Sequence, residues 1–448
     1  MADVGIELID AGVLAARGDA LSPASPGIAL LEQEGAVVGR AAAARARLNP
    51  VYMADRFWAD LSTDPMPRAA DWARSHADLA HAHLSRLWGE VAGPGDAALF
   101  AVPGSIRGQA LGLLAGIAQT AGIEVRGWVD AAVAACAPLP SSHGTVLHLD
   151  IGFHEAVLTV LEGDLTLRRS RVELAPRVGL KSLYAAWGQL IAEALVRRTR
   201  FDPLHQASTE QQLFDKLPGL LATLGNAEEV DVEIEASAGV FGVTLRREQF
   251  TFVAESWYSQ LLDLVHAGRR PGSAVTIALS SRAGLLPGFA ARCAGIPEAE
   301  VLVLAEGAAA RAALQYADPI AGDAQPSLRV ELARAVPVPR RAPVRAAAGE
   351  SPTHVLFAGR AQAILSEPLM IGLAPMGDRV LELPGALPGV SRLHCSLVRE
   401  GDAVIVHDRS RHGTFVNGER VVGSAYLATG DRLRLGTPGV LLELVTVG

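Results

Sequence analysis

A group of side chains near the end of the sequence has the chemistry to hold a phosphate. Ser391 and Arg392 lie in one turn-forming stretch, Gly389 to His394, and Arg411 lies in another, His407 to Gly418. A dianionic phosphate needs short charge-assisted hydrogen bonds, and hydroxyls beside guanidinium forks supply them. Alternating apolar residues over Ala403 to His407 predict a strand between the two stretches, which presents them as recognition loops at one end of a β-sandwich. Two carboxylates lie in short apolar runs: Glu7 within Val4 to Leu8, and Asp150, followed by Gly152, at the end of Val146 to Asp150. Strand ends followed by Gly-bearing turns are where α/β folds place phosphates. The plainer readings are a strand-end carboxylate capping a turn for Asp150 and a polar residue on the solvent face of an edge strand for Glu7.

Other reactive residues form no site. His76, His81 and His83 fall on an expected helix, but only His76 and His83 share a face, and no carboxylate pattern completes a metal set, so they read as a polar helix face. No Ser-His-Asp or Cys-His arrangement is present, and no Gly-Lys-Ser or Gly-Lys-Thr completes a P-loop.

The elements that must position these residues follow from hydrophobic periodicity. Val4 to Leu8, Ala98 to Val102, Val146 to Asp150, Ala156 to Leu161 and Val275 to Leu279 read as strands, while Gln109 to Ala121, Leu183 to Arg198 and Arg247 to Ala267 carry apolar residues at helical spacing. That alternation predicts an α/β fold for the first 320 or so residues. A Pro- and Arg-rich stretch between Pro326 and Thr353 predicts an extended, solvated linker.

The 448 residues leave room for two or three domains, and 50% hydrophobic with only 5% aromatic content predicts Ala-, Val- and Leu-filled cores. A net charge of −8 argues against a general nucleic-acid surface. Cys136, Cys293 and Cys395 are odd in number and widely spaced, so neither a disulfide frame nor a zinc site is indicated and a reducing cytoplasm is expected. No apolar run has the length of a membrane span, and the first residues lack the pattern of a signal peptide.

About the last hundred residues resemble the forkhead-associated (FHA) domain, a phosphothreonine-reading β-sandwich. The resemblance rests on Ser391, Arg392, His394, Ser410, Gly413, Thr414, Phe415, Asn417 and Gly418. It implies that Ser391, Arg392, Arg411 and His412 face the phosphopeptide or partner, while His394, Gly413, Asn417 and Gly418 hold the loops. Three positions depart. Leu373 follows Met370-Ile371-Gly372 where the family carries its principal phosphate-binding arginine, Arg411 stands for a phosphate-binding threonine, and His412 for an asparagine that contacts peptide backbone. Two readings stay open: Arg411 substitutes for the missing arginine, or the sandwich docks proteins independently of phosphate.

Residues 1 to 318 resemble the nucleotide-binding domain of the 70-kilodalton heat-shock chaperones, in the actin-like ATPase superfamily. Val37-Val38-Gly39-Arg40, Leu48-Asn49-Pro50, Ala101-Val102-Pro103, Ala121-Gly122-Ile123, Asp130 to Ala134, Leu245 to Phe250 and Gly307-Ala308-Ala309 occur in the family's order and spacing. The catalytic motifs are poorer. Gly5-Ile6-Glu7-Leu8-Ile9-Asp10 replaces the family's Gly-Ile-Asp-Leu-Gly-Thr, and Asp150-Ile151-Gly152-Phe153-His154 puts a bulky side chain in the second phosphate loop. The only lysines are Lys181 and Lys216, so the family's catalytic lysine of the first half has no counterpart. Glu7, Asp150, Gly152 and Gly307 are the residues the resemblance leaves for nucleotide, with Asp150 for Mg²⁺ if ATP or ADP binds.

The expectation is an α/β actin-like two-lobed domain over residues 1–322, a linker over 323–352 and an all-β FHA sandwich over 353–448. Its expected function is that of a cytoplasmic, bacterial-looking interaction scaffold with a protein partner, phosphothreonine-bearing or unmodified. The ATPase domain is expected to be inactive, with no required cofactor and no metal. An active or nucleotide-binding ATPase switch is the alternative.

Overall fold

The computed structural model describes residues 2–32, 35–140, 144–269, 273–321, 327–335, 351–385, 387, 389–410, 412–421, 423–437 and 439–447. The chain divides into two compact units, Met1–Pro339 and Arg340–Gly448.

The first unit is built on two six-stranded sheets that repeat one plan. In the first sheet the central strand Asp3–Glu7 runs antiparallel to Leu14–Arg17 on one side and parallel to Ala97–Val102 on the other, with Glu124–Asp130 parallel beyond it. In the second sheet Thr145–Ile151 runs antiparallel to Glu155–Glu162 and parallel to Val275–Leu279, with Ala299–Val303 beyond. The parallel strands are covered on both faces, which explains uninterrupted apolar runs such as Ala97–Val102, buried throughout. Glu7 ends the central strand of one sheet and Asp150 is the next-to-last residue of the central strand of the other.

Local sequence sets the flanking helices. Ser75 caps His76–Val91 through a reciprocal pair: its hydroxyl accepts from the Asp78 backbone N–H and Asp78 accepts from the Ser75 N–H at 2.8 Å. Ala77, Ala80, Leu84 and Leu87 then form the buried stripe of that helix. The predicted helix Arg247 to Ala267 is two helices, Arg247–Val253 and Glu255–Gly268, which meet at Ala254.

The start of the expected linker does not behave as a linker. Leu328–Arg329 pairs with Glu124–Asp130 at the edge of the first sheet, and Glu331–Ala333 pairs with Thr166–Pro176 at the edge of the second. Leu332 and Arg334 are buried, and Arg334 donates to the Gly163 carbonyl at 2.9 Å. Composition suggested a solvated chain, but Leu328, Val330 and Leu332 alternate as a strand does, and two open sheet edges supply the backbone partners. Residues 323–326 and 336–350 of that expected linker lie outside the described residues.

The second unit is a β-sandwich. One sheet has six strands, including His354–Phe357, Val440–Val445, Arg432–Leu435 and Thr414–Val416, and the other has five, centred on Leu369–Gly372, Cys395–Glu400 and Ala403–Asp408. Ile371, Leu397, Val404, Val406, Leu433 and Leu442 fill the space between them.

If the 327–335 segment staples the two sheets, Leu332→Ala should lower stability by about 2–5 kcal/mol, as other buried Leu truncations do. Arg329→Ala, on the exposed side, should stay within about 0.5 kcal/mol. Urea unfolding of both variants decides it, since a solvated linker would leave them alike.

Candidate functional site

Carboxylates at the ends of the two central strands, Glu7 last in one and Asp150 next to last in the other, meet around one cation. Arg282, in the short helix Ser281–Gly284 after the strand Val275–Leu279, donates from Nη2 to Glu7 Oε1 at 2.8 Å and to Asp150 Oδ2 at 2.9 Å. Its Nε reaches Asp150 Oδ1 at 3.2 Å. Glu7 Oε2 accepts the Ala309 backbone N–H at 3.1 Å, at the start of the helix Ala308–Gln315 that follows Gly307, whose φ is 70°. All three charged groups are largely withdrawn from water, with side-chain exposures of 13% for Arg282, 8% for Glu7 and 13% for Asp150. Burial alone would raise the Asp150 carboxyl, but Arg282 and the Ser280 hydroxyl hold it below the ordinary carboxylate range. Arg282 is correspondingly raised and stays charged: burial opposes the charge, but Asp150 and Glu7 outweigh it.

Glu7 is therefore no polar residue on an edge strand. It is 6% exposed and lies in a central strand between two partners. The space beside the triad, bounded by Glu7, His148, Asp150, Ser280 and Arg282, is about 20 Å³, room for about one water.

A second carboxylate closes the same region. Asp10, in the turn after the first central strand, accepts the Phe153 backbone N–H at 2.8 Å in the turn after the second. The Ala11 and His154 backbone N–H groups also point to it. Burial pushes Asp10 above the ordinary carboxylate range, while these N–H groups and the His154 ring pull it back. A Cβ at 152 would stand 2.3 Å from Asp10 Oδ1, so any residue larger than glycine would have to displace that carboxylate. Beside it, His154 Nε2–H donates to the Asp55 carbonyl at 2.9 Å, and Lys181 pairs with the Asp55 carboxylate at 2.6 Å.

The histidine cluster separates. His83 is buried and is not part of a polar face: Trp58 Nε1–H donates to its Nδ1 at 3.0 Å, so Nε2–H faces Ser25 Oγ at 2.8 Å and the ring is neutral. Burial lowers its pKa to about 4. His76 lies on the surface and bonds the Asp60 carbonyl. Among the described residues no group of three or more His, Cys, Asp or Glu is arranged to hold a metal.

In the β-sandwich the retained loop residues form a connected frame. His394 is fully buried, and its Nδ1 accepts the Ser391 N–H at 3.0 Å, which leaves Nε2–H to donate to the Gly413 carbonyl at 3.1 Å. One ring thus ties the two loops together. Asn417, at φ 52°, receives the Arg432 N–H and donates to Asp431, beside Gly418 at φ 90°. Ser410 and Thr414 hydroxyls both donate to Asp408 Oδ1, at 2.7 and 2.8 Å, so Ser410 is committed within its loop. Gly372 passes so close to the Arg392 carbonyl that a Cβ would stand 2.0 Å away. The next residue, Leu373, donates its N–H to the Ser391 carbonyl at 3.1 Å and packs its side chain on the core. Arg392 and His412 are exposed, and Arg411 lies outside the described residues.

Residues 370–436 match the FHA domain family and form an FHA domain. No curated protein matches the chain significantly. FHA domains bind phosphothreonine-containing protein partners. Among the described residues no helix is long and apolar enough to cross a membrane.

Arg282 and Asp10 were not singled out from the sequence. The first stands within Ser280-Ser281-Arg282 and the second ends the run Gly5 to Asp10, and neither carries a local motif.

Arg282→Ala should cost about 3–5 kcal/mol, the scale for stranding buried charges, and Asp150 should titrate higher; urea unfolding against pH reads both. A separate pH effect comes from His83. Its folded pKa lies below the unfolded value, so the unfolded chain takes up a proton that the folded chain refuses, and stability falls as pH drops from about 6.5 toward 4. The expected loss is about 3 kcal/mol at most. Buried His148 and His394, also lowered, act in the same direction. His83→Asn should flatten the pH dependence of the urea midpoint.

Proposed function

We propose that this chain is a protein-interaction adaptor. Its FHA domain engages a phosphothreonine-bearing partner, and its first unit is an actin-like domain that serves as a scaffold without hydrolysing nucleotide. The observation that carries the reading is Arg282 bridging Glu7 and Asp150. The repeated plan of the two sheets, each with a hairpin and two parallel strands flanking a central one, supports the actin-like assignment. In such a fold the nucleotide phosphates and their magnesium would belong at the ends of the two central strands.

The residues there do not fit ATP with Mg²⁺. The two acidic groups that would face a metal are already neutralised by a guanidinium, Asp10 puts negative charge against the amides that would receive a phosphate, and about 20 Å³ is far below the roughly 300 Å³ or more of a ligand pocket. Gly307 supports the start of the helix that binds Glu7.

For the FHA domain, Ser391 and Arg392 are the residues assigned to the phosphate, with Arg411 and His412 in the neighbouring loop. Leu373 offers no hydrogen bond where a guanidinium fork would sit, so affinity is low and Arg392 carries the main charge.

Two experiments test these assignments on the full chain. Mg-ATP should neither shift the melting temperature nor be hydrolysed; a ligand at a hundredfold excess over its Kd would add about 2.7 kcal/mol, so binding would be plain to see and would overturn the scaffold reading. In fluorescence polarisation with a phosphothreonine peptide library, Arg392→Ala should abolish binding and Leu373→Arg should tighten it by roughly tenfold or more, the scale of a charged hydrogen bond. Equal affinity for unphosphorylated peptides would replace phosphate reading with phosphate-independent docking.

A further inference from the structure

We infer that Asp10 is an internal anionic ligand, a carboxylate of the first sheet seated in a backbone amide cradle of the second, where it latches the two sheets together. The cradle belongs to the turn between Thr145–Ile151 and Glu155–Glu162, and the carboxylate to the turn between Asp3–Glu7 and Leu14–Arg17. Successive backbone N–H groups in such a turn form a concavity that favours an anion. Phe153 N–H donates to Asp10 Oδ1 at 2.8 Å, the His154 N–H also faces the carboxylate, and Gly152 leaves the space that Oδ1 fills.

The surroundings are built around this contact. Gly27 N–H donates to the Asp10 carbonyl at 2.7 Å and fixes the backbone that carries the carboxylate. On the opposite side, the helix Leu180–Thr199 begins on the cradle, with Leu180 N–H on the Gly152 carbonyl at 2.9 Å and Lys181 N–H on the Phe153 carbonyl at 3.1 Å. His154 contributes an N–H to the cradle while its ring is held at Asp55, another residue of the first half of the unit. Each turn has backbone support of its own, and the Asp10 carboxylate joins one turn to the other. Asp10 sits in the cradle at some cost, because burial outweighs the N–H groups, so a free oxyanion of higher charge is a credible competitor once the side chain is removed.

This inference rests on the non-hydrolytic reading of the cleft and extends it: the chain supplies its own anion, as Arg282 supplies its own cation. The test is chemical rescue in the full chain. Asp10→Ala should melt below the wild type, and inorganic phosphate should restore its midpoint in a concentration-dependent way that chloride at matched ionic strength does not. The wild type should show no phosphate-specific shift, its cradle being filled. Amide exchange at Phe153 and His154 should be roughly tenfold faster in Asp10→Ala than in the wild type. A folded Asp10→Ala that phosphate does not rescue, or a wild type that phosphate stabilises specifically, overturns the latch. Should Asp10→Ala fail to fold, Asp10→Asn decides: it keeps an acceptor for Phe153 but loses the charge, so exchange at the two amides should rise, and unchanged exchange overturns the proposal. Hydrolysis of Mg-ATP by the wild type would sink the non-hydrolytic reading alone, whereas failed rescue would sink the latch alone.

Discussion

The arrangement of the first unit depends on a guanidinium held between two carboxylates from different sheets. Arg282 stands in the short helix that follows a strand of the second sheet, and its Nη2 bridges Glu7 on the first sheet and Asp150 on the second. Removing three charged groups from water is costly, and a buried ion pair is weak evidence for net stability. What it does supply is geometry. Each partner alone would be a stranded charge, so arrangements that pull the two central strands apart are disfavoured far more strongly than the folded state is favoured. The first unit is thus biased toward one arrangement of its two sheets, and the bias is written in side chains and needs no ligand.

The same theme recurs at the edges. A short segment, 327–335, adds one strand to each sheet, parallel to Glu124–Asp130 in one and antiparallel to Thr166–Pro176 in the other. Unpaired strand edges seek partners, and here the chain uses its own continuation to cover two of them. Relative motion of the sheets would have to break one of these pairings, so the edge strands, the Arg282 triad and the Asp10 contact oppose the same displacement from three places.

The strands Val4 to Leu8, Ala98 to Val102 and Val146 to Asp150 were legible because each is a local pattern of apolar residues between breakers. Glu7 and Asp150 were legible as candidates because they stand where the chaperone resemblance places the acidic residues of its two phosphate loops. Their shared cation was not: Arg282 lies 275 residues from Glu7, and Asp10 lies 143 residues from Phe153. Nothing in the local sequence marks an arginine or aspartate as a tertiary partner at that distance. The edge strands at 327–335 were hidden for a related reason. Their Pro- and Arg-rich neighbours dominate the composition, while the pairing is decided by sheet edges elsewhere in the chain. His83 was misplaced because a histidine between polar neighbours looks solvated, whereas Trp58 and Ser25 satisfy both ring nitrogens in the interior.

In the FHA domain two side chains join the loops through hydrogen bonds of their own. His394 joins the Ser391 loop to Gly413, and Asn417 joins its own turn to Arg432, each by two hydrogen bonds with defined donors. Loss of His394 would leave the buried Gly413 carbonyl unsatisfied, so that residue is constrained by folding whatever the domain binds. Leu373 is under no such constraint. Its backbone N–H holds the Ser391 carbonyl with any side chain, and a leucine there gains packing against the core where an arginine would gain only a ligand. A domain can therefore keep every loop-forming residue of its family while its phosphate affinity drifts, and the ligand-facing positions are the ones that must be read to predict what it binds.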